Sequence, residues 1–562
     1  MEQDPRSLLN QQLDQAAATA RDGWSILRQQ GPSQIQFWFI ALMIGAAAGF
    51  AALGFRKGII WLQATLYQAD DVHLLHSHVE ALPWWMLLII PVCGGLLVGA
   101  ILNWFTPDGR LRSVADVIEG AALHNGRVET KAGFASALAS LITLSSGGSS
   151  GREGPVVHLA GVMASWVSGR IDADAITGRD LLGCAVAGAV SASFNAPIAG
   201  ALFALEVVLR HFAVHAFAPI VIAAVAGTVI NRLEFGGLTE FVLTTPGQLQ
   251  FYVELPAFLL LGLISGLIAV VLMRSVFLAE DLGTYVQKRF KVPRWARPGF
   301  AGLLLGLIAL AFPHIIGVGY ETTLRALKGE LVVVEGIIFV VVKVIAVAIT
   351  LAGHMGGGIF SPSLMIGAIS GLVFGTIATG IIPNFSGDAQ LYAFAGMGAV
   401  AAAVLGAPIS TTLIVFELTG DWQIGLAVMV SVSMSTALSA RLVHRSFFLT
   451  LLERRGSHLA AGPQAYLLAM FRVGNLMRAL DSPRAADPEA CHALIAKGHS
   501  VEISATLETV MPLFDVHDLT FLPVVAQTDP DAPPELRGAL FYVDALKAYN
   551  RALAETAAEE HS

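Results

Sequence analysis

The 562-residue chain is 55% hydrophobic and only 14% charged, with 56 glycines and a mean hydropathy of +0.66, which excludes an ordinary soluble globular protein. Its net charge of −8 argues against a nucleic-acid partner, which would require a basic face. Cys93, Cys184 and Cys491 lie far apart, and their spacing predicts neither a disulfide framework nor a metal site. No motif in the sequence predicts a cofactor.

The first 34 residues are polar and of mixed charge, which does not fit a cleavable signal peptide. We predict an N-terminal cytoplasmic amphipathic segment over residues 1–34, helical from Leu8 to Leu27. Long uncharged runs follow, and about 20 apolar residues suffice for a helix to cross the hydrocarbon core. These runs are Phe37 to Phe55, Leu82 to Phe105, Leu255 to Met273 and Met355 to Ser386. The sequence therefore predicts an all-α polytopic membrane domain over residues 35–455.

An internal repeat is the main organisational signal inside this domain. Both copies contain a Gly-Ala-Val triplet, an Ala-Pro-Ile start and a glutamate nine residues after the proline. In the first copy these are residues 188–190, 196–198 and 206. In the second copy they are residues 398–400, 407–409 and 417. Each copy also follows a glycine-rich turn that ends in proline, at residues 151–155 and 358–362. Matching segments in the same order predict a duplicated transporter fold. The alternative is chance, because small residues are common in membrane helices.

Four prolines follow glycine or small residues within hydrophobic sequence: Pro155, Pro197, Pro362 and Pro408. Proline suits the first turn of a helix and not its interior, so each should end one helix and begin another. Irregular backbone at membrane depth must be buried in protein or line a water-filled cavity. The start of a helix carries free N–H groups and about half a positive charge, which attract an anion. We therefore predict that up to four helix starts surround an anion pocket.

Glu153 is the first candidate for a functional side chain in this pocket. Between Lys131 and Arg170 the only ionised side chains are Arg152 and Glu153, and an acid within apolar sequence is a functional hypothesis by default. A carboxylate at the mouth of an anion site can occupy the place of the ion and leave it once protonated. The structural alternative is a helix cap paired with Arg152.

The stretch Gly147-Gly148-Ser149-Ser150-Gly151-Arg152-Glu153-Gly154-Pro155 resembles the CLC family of chloride channels and proton-coupled chloride antiporters. The resemblance covers roughly residues 35–455 and includes Gly358-Ile359-Phe360-Ser361-Pro362, similar to the Gly-x-Phe-x-Pro loop of the family. It implies a homodimer with one chloride pathway per subunit, an inverted repeat of broken helices, and Glu153 as the external gate. The anion-binding residues that it implies are Gly151, Arg152, Gly154, Gly358, Ile359, Phe360, Phe448 and Ser113.

Three departures from the family pattern bear on mechanism. The family's Gly-Ser-Gly-Ile-Pro loop corresponds to Leu111-Arg112-Ser113-Val114-Ala115, which leaves Arg112 or Ser113 as the inner ligand. Phe448 replaces the tyrosine that faces the anion, so one hydroxyl donor is lost. Val207 stands where many antiporters have a second glutamate. We therefore favour voltage- or pH-dependent channel-like conduction of chloride and similar anions, with H+/Cl− antiport as the alternative.

The remainder of the chain has soluble composition, and we predict a linker over 456–468 and a cytoplasmic domain over 469–562. Residues 469–552 resemble a small α/β module of the cystathionine-beta-synthase (CBS) type. Such modules work in pairs, so we predict pairing across the dimer or a degenerate unit. Phe541 replaces the hydroxyl residue usual for ribose or phosphate contact, which disfavours nucleotide binding and favours a packing module.

Two other classes of protein compete with the transporter hypothesis. Gly147-Gly148-Ser149-Ser150-Gly151 formally fits the Gly-x-Ser-x-Gly elbow of a hydrolase, with His158 and His354 as bases, but that motif needs a preceding strand. We therefore predict that the chain is not an enzyme. A non-conducting membrane sensor is the other alternative. The predicted location is the cell inner membrane, with several passes through the lipid and both termini in the cytoplasm.

Overall fold

The computed structural model describes residues 34–68, 75–212, 214–236, 251–381, 383, 387–457, 468, 471–482, 484–503, 505–517, 519–526 and 535–561. The predicted N-terminal helix Leu8 to Leu27 and nearly all of the predicted linker lie outside these residues. Among the described residues, seven helices are long and apolar enough to cross a membrane.

Helices of the first half alternate between long spans and shorter broken pieces. In chain order they are α1 (Gln34–Tyr67), α2 (Leu75–Glu80), α3 (Trp84–Phe105), α4 (Val114–Leu123), α5 (Thr130–Ser145), α6 (Glu153–Arg170), α7 (Ala175–Phe194), α8 (Pro197–Phe203) and α9 (Val214–Phe235). Helix α8 continues into a π-helical turn over Ala204–Leu209.

The second half follows the same plan and ends with a short helix at the membrane boundary. Its helices are α10 (Phe251–Phe290), α11 (Arg297–Ala309), α12 (Tyr320–Leu327), α13 (Val333–Ala352), α14 (Phe360–Ile381), α15 (Ala389–Leu405), α16 (Pro408–Thr419), α17 (Trp422–Val443) and α18 (Phe447–Arg454). Short 3₁₀ turns lie at Arg294–Ala296 and Pro313–Ile315.

The two copies of the repeat break their helices in the same way. Helix α7 ends at Asn195 (φ 57°) and α15 ends at Gly406 (φ 69°), both in the left-handed region that stops a helix. Pro197 and Pro408 then occupy the first turn of α8 and α16, where the missing N–H costs nothing. The predicted repeat of broken helices is therefore present in the structure.

Small residues allow the broken helices to pack closely. On α14 a Cβ atom at Gly371 would lie 2.1 Å from the carbonyl oxygen of Tyr392 on α15. Contact of this kind between backbones replaces the hydrophobic driving force that membrane helices lack. As a result α7 and α15 are almost wholly buried, and they form the centre of the domain.

The tail forms a separate small α/β unit. Its elements are α19 (Val473–Leu476), β1 (Arg478–Ala479), α20 (Pro488–Ala496), β2 (Val501–Glu502), α21 (Leu507–His517), β3 (Phe521–Ala526), β4 (Glu535–Phe541) and α22 (Tyr542–His561). The four strands have the order β1-β4-β3-β2, with only the β2–β3 pair parallel. A core of its own, which includes Leu507, Phe514 and Leu540, supports this sheet.

Candidate functional site

The glycine-rich turns of the two halves meet at one point. Gly151 donates its N–H to the carbonyl of Gly358 at 2.7 Å, and Gly358 donates to the carbonyl of Gly151 at 2.8 Å. The backbones approach closely here, because a Cβ at Gly358 would lie only 3.2 Å from the amide nitrogen of Gly154. This reciprocal bridge brings the starts of α6 and α14 together.

Glu153, the first residue of α6, places its carboxylate against the start of α14. Its side chain is buried, and its Oε1 accepts a hydrogen bond from Ser361 Oγ at 2.5 Å. The other carboxylate oxygen and the Ser361 amide both lie close to Gly151. A Cβ atom built on Gly151 would be 2.8 Å from Glu153 Oε2 and 3.0 Å from the Ser361 amide nitrogen. The carboxylate therefore lies beside the amide-rich end of a helix, where negative charge is stabilised.

A cavity of about 420 Å³ adjoins this carboxylate. Of the nine residues predicted for the site, seven line it: Ser113, Glu153, Gly154, Gly358, Ile359, Phe360 and Phe448. Gly151 and Arg152 do not. Gly151 forms the bridge behind the cavity, and the Arg152 guanidinium donates to the carbonyl of Ser193 at 3.1 Å. The Arg152 Nε nevertheless lies 3.8 Å from Glu153 Oε1.

The cavity is also lined by charged side chains that the sequence analysis did not assign to the site. They are Arg110, Glu280, Asp281, Arg454 and Arg455, together with His354. Arg454 pairs with Asp281, and Arg455 Nη1 lies 3.2 Å from Asp116 Oδ1. Asp116 and Arg455 are 339 residues apart, and no local pattern signals such a pair.

Of the two candidate inner ligands, the structure places Ser113 and not Arg112 at the cavity. The Arg112 guanidinium is bound to Asp108 at 2.8 Å and to Glu129 at 2.7 Å. Ser113 caps α4, and its amide donates to Asp116 Oδ2 at 2.7 Å. The positive end of α4 is therefore already matched by a carboxylate of the chain.

Two of the four helix starts that we considered for the anion pocket are occupied by carboxylates of the chain itself. Glu417 accepts from the amides of Ile198 (3.1 Å) and Ala199 (2.8 Å) at the start of α8. Glu206 accepts from the amides of Ile409 (2.9 Å) and Ser410 (2.8 Å) at the start of α16. Each repeat glutamate thus caps the helix of the other copy, so of these four starts only those of α6 and α14 adjoin the cavity.

Residues 94–440 match a family model described as "Voltage gated chloride channel". A putative chloride channel protein ClcB-like of Ralstonia nicotianae is 31% identical over 397 residues, which cover 70% of this chain and 91% of that protein. This chain belongs to the CLC family. A voltage-gated ClC-type chloride channel ClcB of Escherichia coli O81 is 30% identical over 418 residues, covering 72% and 96% of the two chains.

Solved structures of CLC proteins have the same fold. A slow cyanobacterial Cl−/H+ antiporter superposes with a TM-score of 0.65 at 21% identity, covering 75% of this chain and 97% of that chain. A eukaryotic CLC transporter gives a TM-score of 0.64 at 18% identity, covering 90% and 97%. The chain is therefore a multi-pass membrane protein of an anion-transporting family, and that family consists of transporters, not enzymes.

The hydrolase hypothesis finds no support in the local structure. Helix α5, not a strand, precedes the Gly-x-Ser-x-Gly segment, and Ser149 is buried, with its amide bonded to Thr350 Oγ1 at 3.0 Å. His158 is buried within α6, while His354 lines the cavity. An elbow nucleophile needs a strand and an exposed serine.

Proposed function

We propose that this CLC protein carries chloride and similar small anions through the cavity beneath Glu153, with the Glu153 carboxylate as the gate. The observation that supports this most directly is the position of that carboxylate, against Ser361 at the first turn of α14. The first amides of a helix have no partner within it, so an anion and the carboxylate compete for the same donors.

Release of the gate requires the carboxylate to lose its attraction for these donors. Protonation of Glu153 removes its charge, and a chloride ion arriving at residues 358–360 then replaces it. Neutral dipoles hold a small anion without trapping it, which suits rapid passage. Phe448 and Ser113 border the path below this point.

Channel-like conduction is the finer proposal, and H+/Cl− antiport is the alternative. Val207 is buried in the π-helical turn after α8 and offers no proton acceptor where many antiporters have a glutamate. The structural relatives include a protein described as a Cl−/H+ antiporter, which motivates the alternative. Chloride efflux from proteoliposomes with recording of external pH decides between them, because uphill proton movement would refute the channel proposal.

We expect Glu153→Gln to abolish the pH dependence of chloride flux while flux itself persists, because the amide keeps the shape of the side chain but cannot ionise. The measurement is chloride efflux from proteoliposomes between pH 4.5 and 7.5. Glu330→Gln, which makes the same change at an exposed residue of a loop, is the control. An unaltered flux and pH profile in Glu153→Gln would show that another group forms the gate.

We propose that the tail is a CBS-like packing module without a nucleotide site. Arg478 Nε binds Asp544 Oδ2 at 2.7 Å, and Arg478 lies over the ring of Phe541 at 4.0 Å, so the Asp544 carboxylate is already engaged. We expect millimolar ATP to leave the melting temperature of the purified protein unchanged. A rise with ATP concentration would contradict this proposal.

A further inference from the structure

A second, much smaller cavity lies beside Arg152, separate from the one beneath Glu153. Its volume is about 50 Å³, and a water molecule in the liquid takes about 30 Å³, so it holds one or two particles of that size. The polar and charged side chains that line it are Arg56, Gln63, His76, Arg152, His314, Tyr320, Glu321 and Thr322.

Two polar side chains in this pocket are buried with an atom that lacks a partner in the described part of the chain. His314 is 2% exposed and Thr322 is 1% exposed, and the Thr322 hydroxyl and one His314 ring nitrogen have no hydrogen-bond partner among the described residues. Buried polar groups in native proteins are nearly always satisfied. The pocket is therefore built for a small polar ligand.

The charges around the pocket select the sign of that ligand. Arg152 lines it with its guanidinium 5.3 Å above the Tyr320 ring. Lys343 is fully buried nearby and donates to the carbonyls of Ile315 (3.2 Å) and Gly317 (3.1 Å), on the segment that carries His314. Arg56 is the second cation that lines the pocket. The positive side chains outnumber the acidic ones.

The one acidic side chain that lines this pocket, Glu321, and the neighbouring Glu80 are already bound. Glu321 accepts from the amide of Ser77 at 3.2 Å and from its hydroxyl at 2.5 Å, and Glu80 lies 3.1 Å from His76 Nε2. Burial, Lys343 and His76 lower the pKa of His314 to about 3. At neutral pH its ring is uncharged, and the net positive charge at the pocket comes from Arg56 and Arg152.

We propose that this pocket is a second anion-binding site, in which a halide or nitrate ion lies between the Arg152 guanidinium, the His314 ring and the Thr322 hydroxyl. Arg152 also adjoins the gate, with its Nε 3.8 Å from Glu153 Oε1. An anion held here waits next to the carboxylate that it must displace. Binding at this site is independent of the proposed transport, whereas its role as a waiting position rests on that proposal.

Bromide provides the direct test, because its anomalous scattering distinguishes it from water. Crystals of the full-length protein soaked in bromide should show one peak at the start of α14 and a second between Arg152, His314 and Thr322. In Thr322→Val the second peak should disappear while the first remains. A peak at α14 alone, or density without anomalous signal in the small pocket, would overturn the proposal. Loss of both peaks in the wild-type protein would refute the central site as well.

Flux measurements test the role of the site without crystals. We expect Thr322→Val to raise the external chloride concentration for half-maximal flux on the order of tenfold, since a hydrogen bond to an ion is lost, with the maximal flux unchanged. Thr323→Val is the matched control, because its neighbouring buried hydroxyl is bonded to the Gly319 carbonyl at 2.9 Å. His314→Phe should act like Thr322→Val. Equal half-saturation in all four proteins would show that the pocket plays no part in anion approach.

Discussion

Ser361 determines how firmly the Glu153 carboxylate is held. It is the second residue of α14, its side chain is buried, and its hydroxyl donates to Glu153 Oε1 at 2.5 Å. A hydrogen bond to an ionised group is stronger than one between neutral groups. The strength of the proposed gate therefore depends on a side chain from the other half of the repeat.

We expect Ser361→Ala to lower the chloride concentration for half-maximal flux on the order of tenfold, because the carboxylate loses one charged hydrogen bond of about 1.5–3 kcal/mol. The measurement is chloride flux in proteoliposomes against chloride concentration at a fixed pH. Ser363→Ala is the matched control, since the Ser363 hydroxyl bonds to the Ile359 carbonyl of its own helix at 2.6 Å. If both variants gave the wild-type curve, Ser361 would not restrain the gate.

At the scale of elements, the reciprocal caps of α8 and α16 join the two halves of the repeat. Each helix starts with a proline after a left-handed residue, and each receives a carboxylate from the other helix. The caps satisfy amides that would otherwise be exposed within the membrane, where water cannot replace them. Their role is in stability and not in anion binding.

We expect Glu417→Ala and Glu206→Ala each to lower the free energy of unfolding by about 1–2 kcal/mol, as the loss of an N-cap does. Glu206→Ala should be the more harmful, because Glu206 also accepts from the Ser410 hydroxyl at 2.6 Å. Melting temperatures in detergent measure this, with Glu330→Ala as the exposed control. Unchanged melting temperatures in both variants would contradict the cap assignment.

At the scale of the whole molecule, the surface around these caps argues for a second copy. Glu206 and Glu417 are only partly buried, and the neighbouring Ile198 and Ile409 are 55% and 47% exposed. Ionised side chains are costly against lipid, so we propose that this face, defined by Ile198, Glu206, Ile409 and Glu417, is covered by the partner subunit of a homodimer.

We expect Ile198→Trp combined with Ile409→Trp to convert the dimer into folded monomers, because two large rings cannot be accommodated in a packed interface. Size-exclusion chromatography with light scattering in detergent measures the mass. Ile337→Trp with Ile345→Trp, at exposed positions of α13, provides the control. A wild-type protein that runs as a monomer would refute the dimer.

The sequence alone determined the class of the protein and much of its local structure. Apolar runs predicted the spans because an unpaired backbone cannot cross lipid except as a helix, and Pro197 and Pro408 predicted the breaks because proline suits only a helix start. The motif at residues 147–155 carried the resemblance to the CLC family. These are local signals, which depend on spacing and residue type within a few turns.

Only the tertiary structure decided which helix starts remain open to an anion. The starts of α8 and α16 have the same sequence signature as those of α6 and α14, but Glu417 and Glu206 occupy them from about 200 residues away. The tertiary structure also decided that Arg112 binds Glu129. It likewise brought Arg152, His314 and Thr322 together around one pocket. A helix end attracts any negative group, so whether it meets an ion or a carboxylate depends on what the fold places beside it.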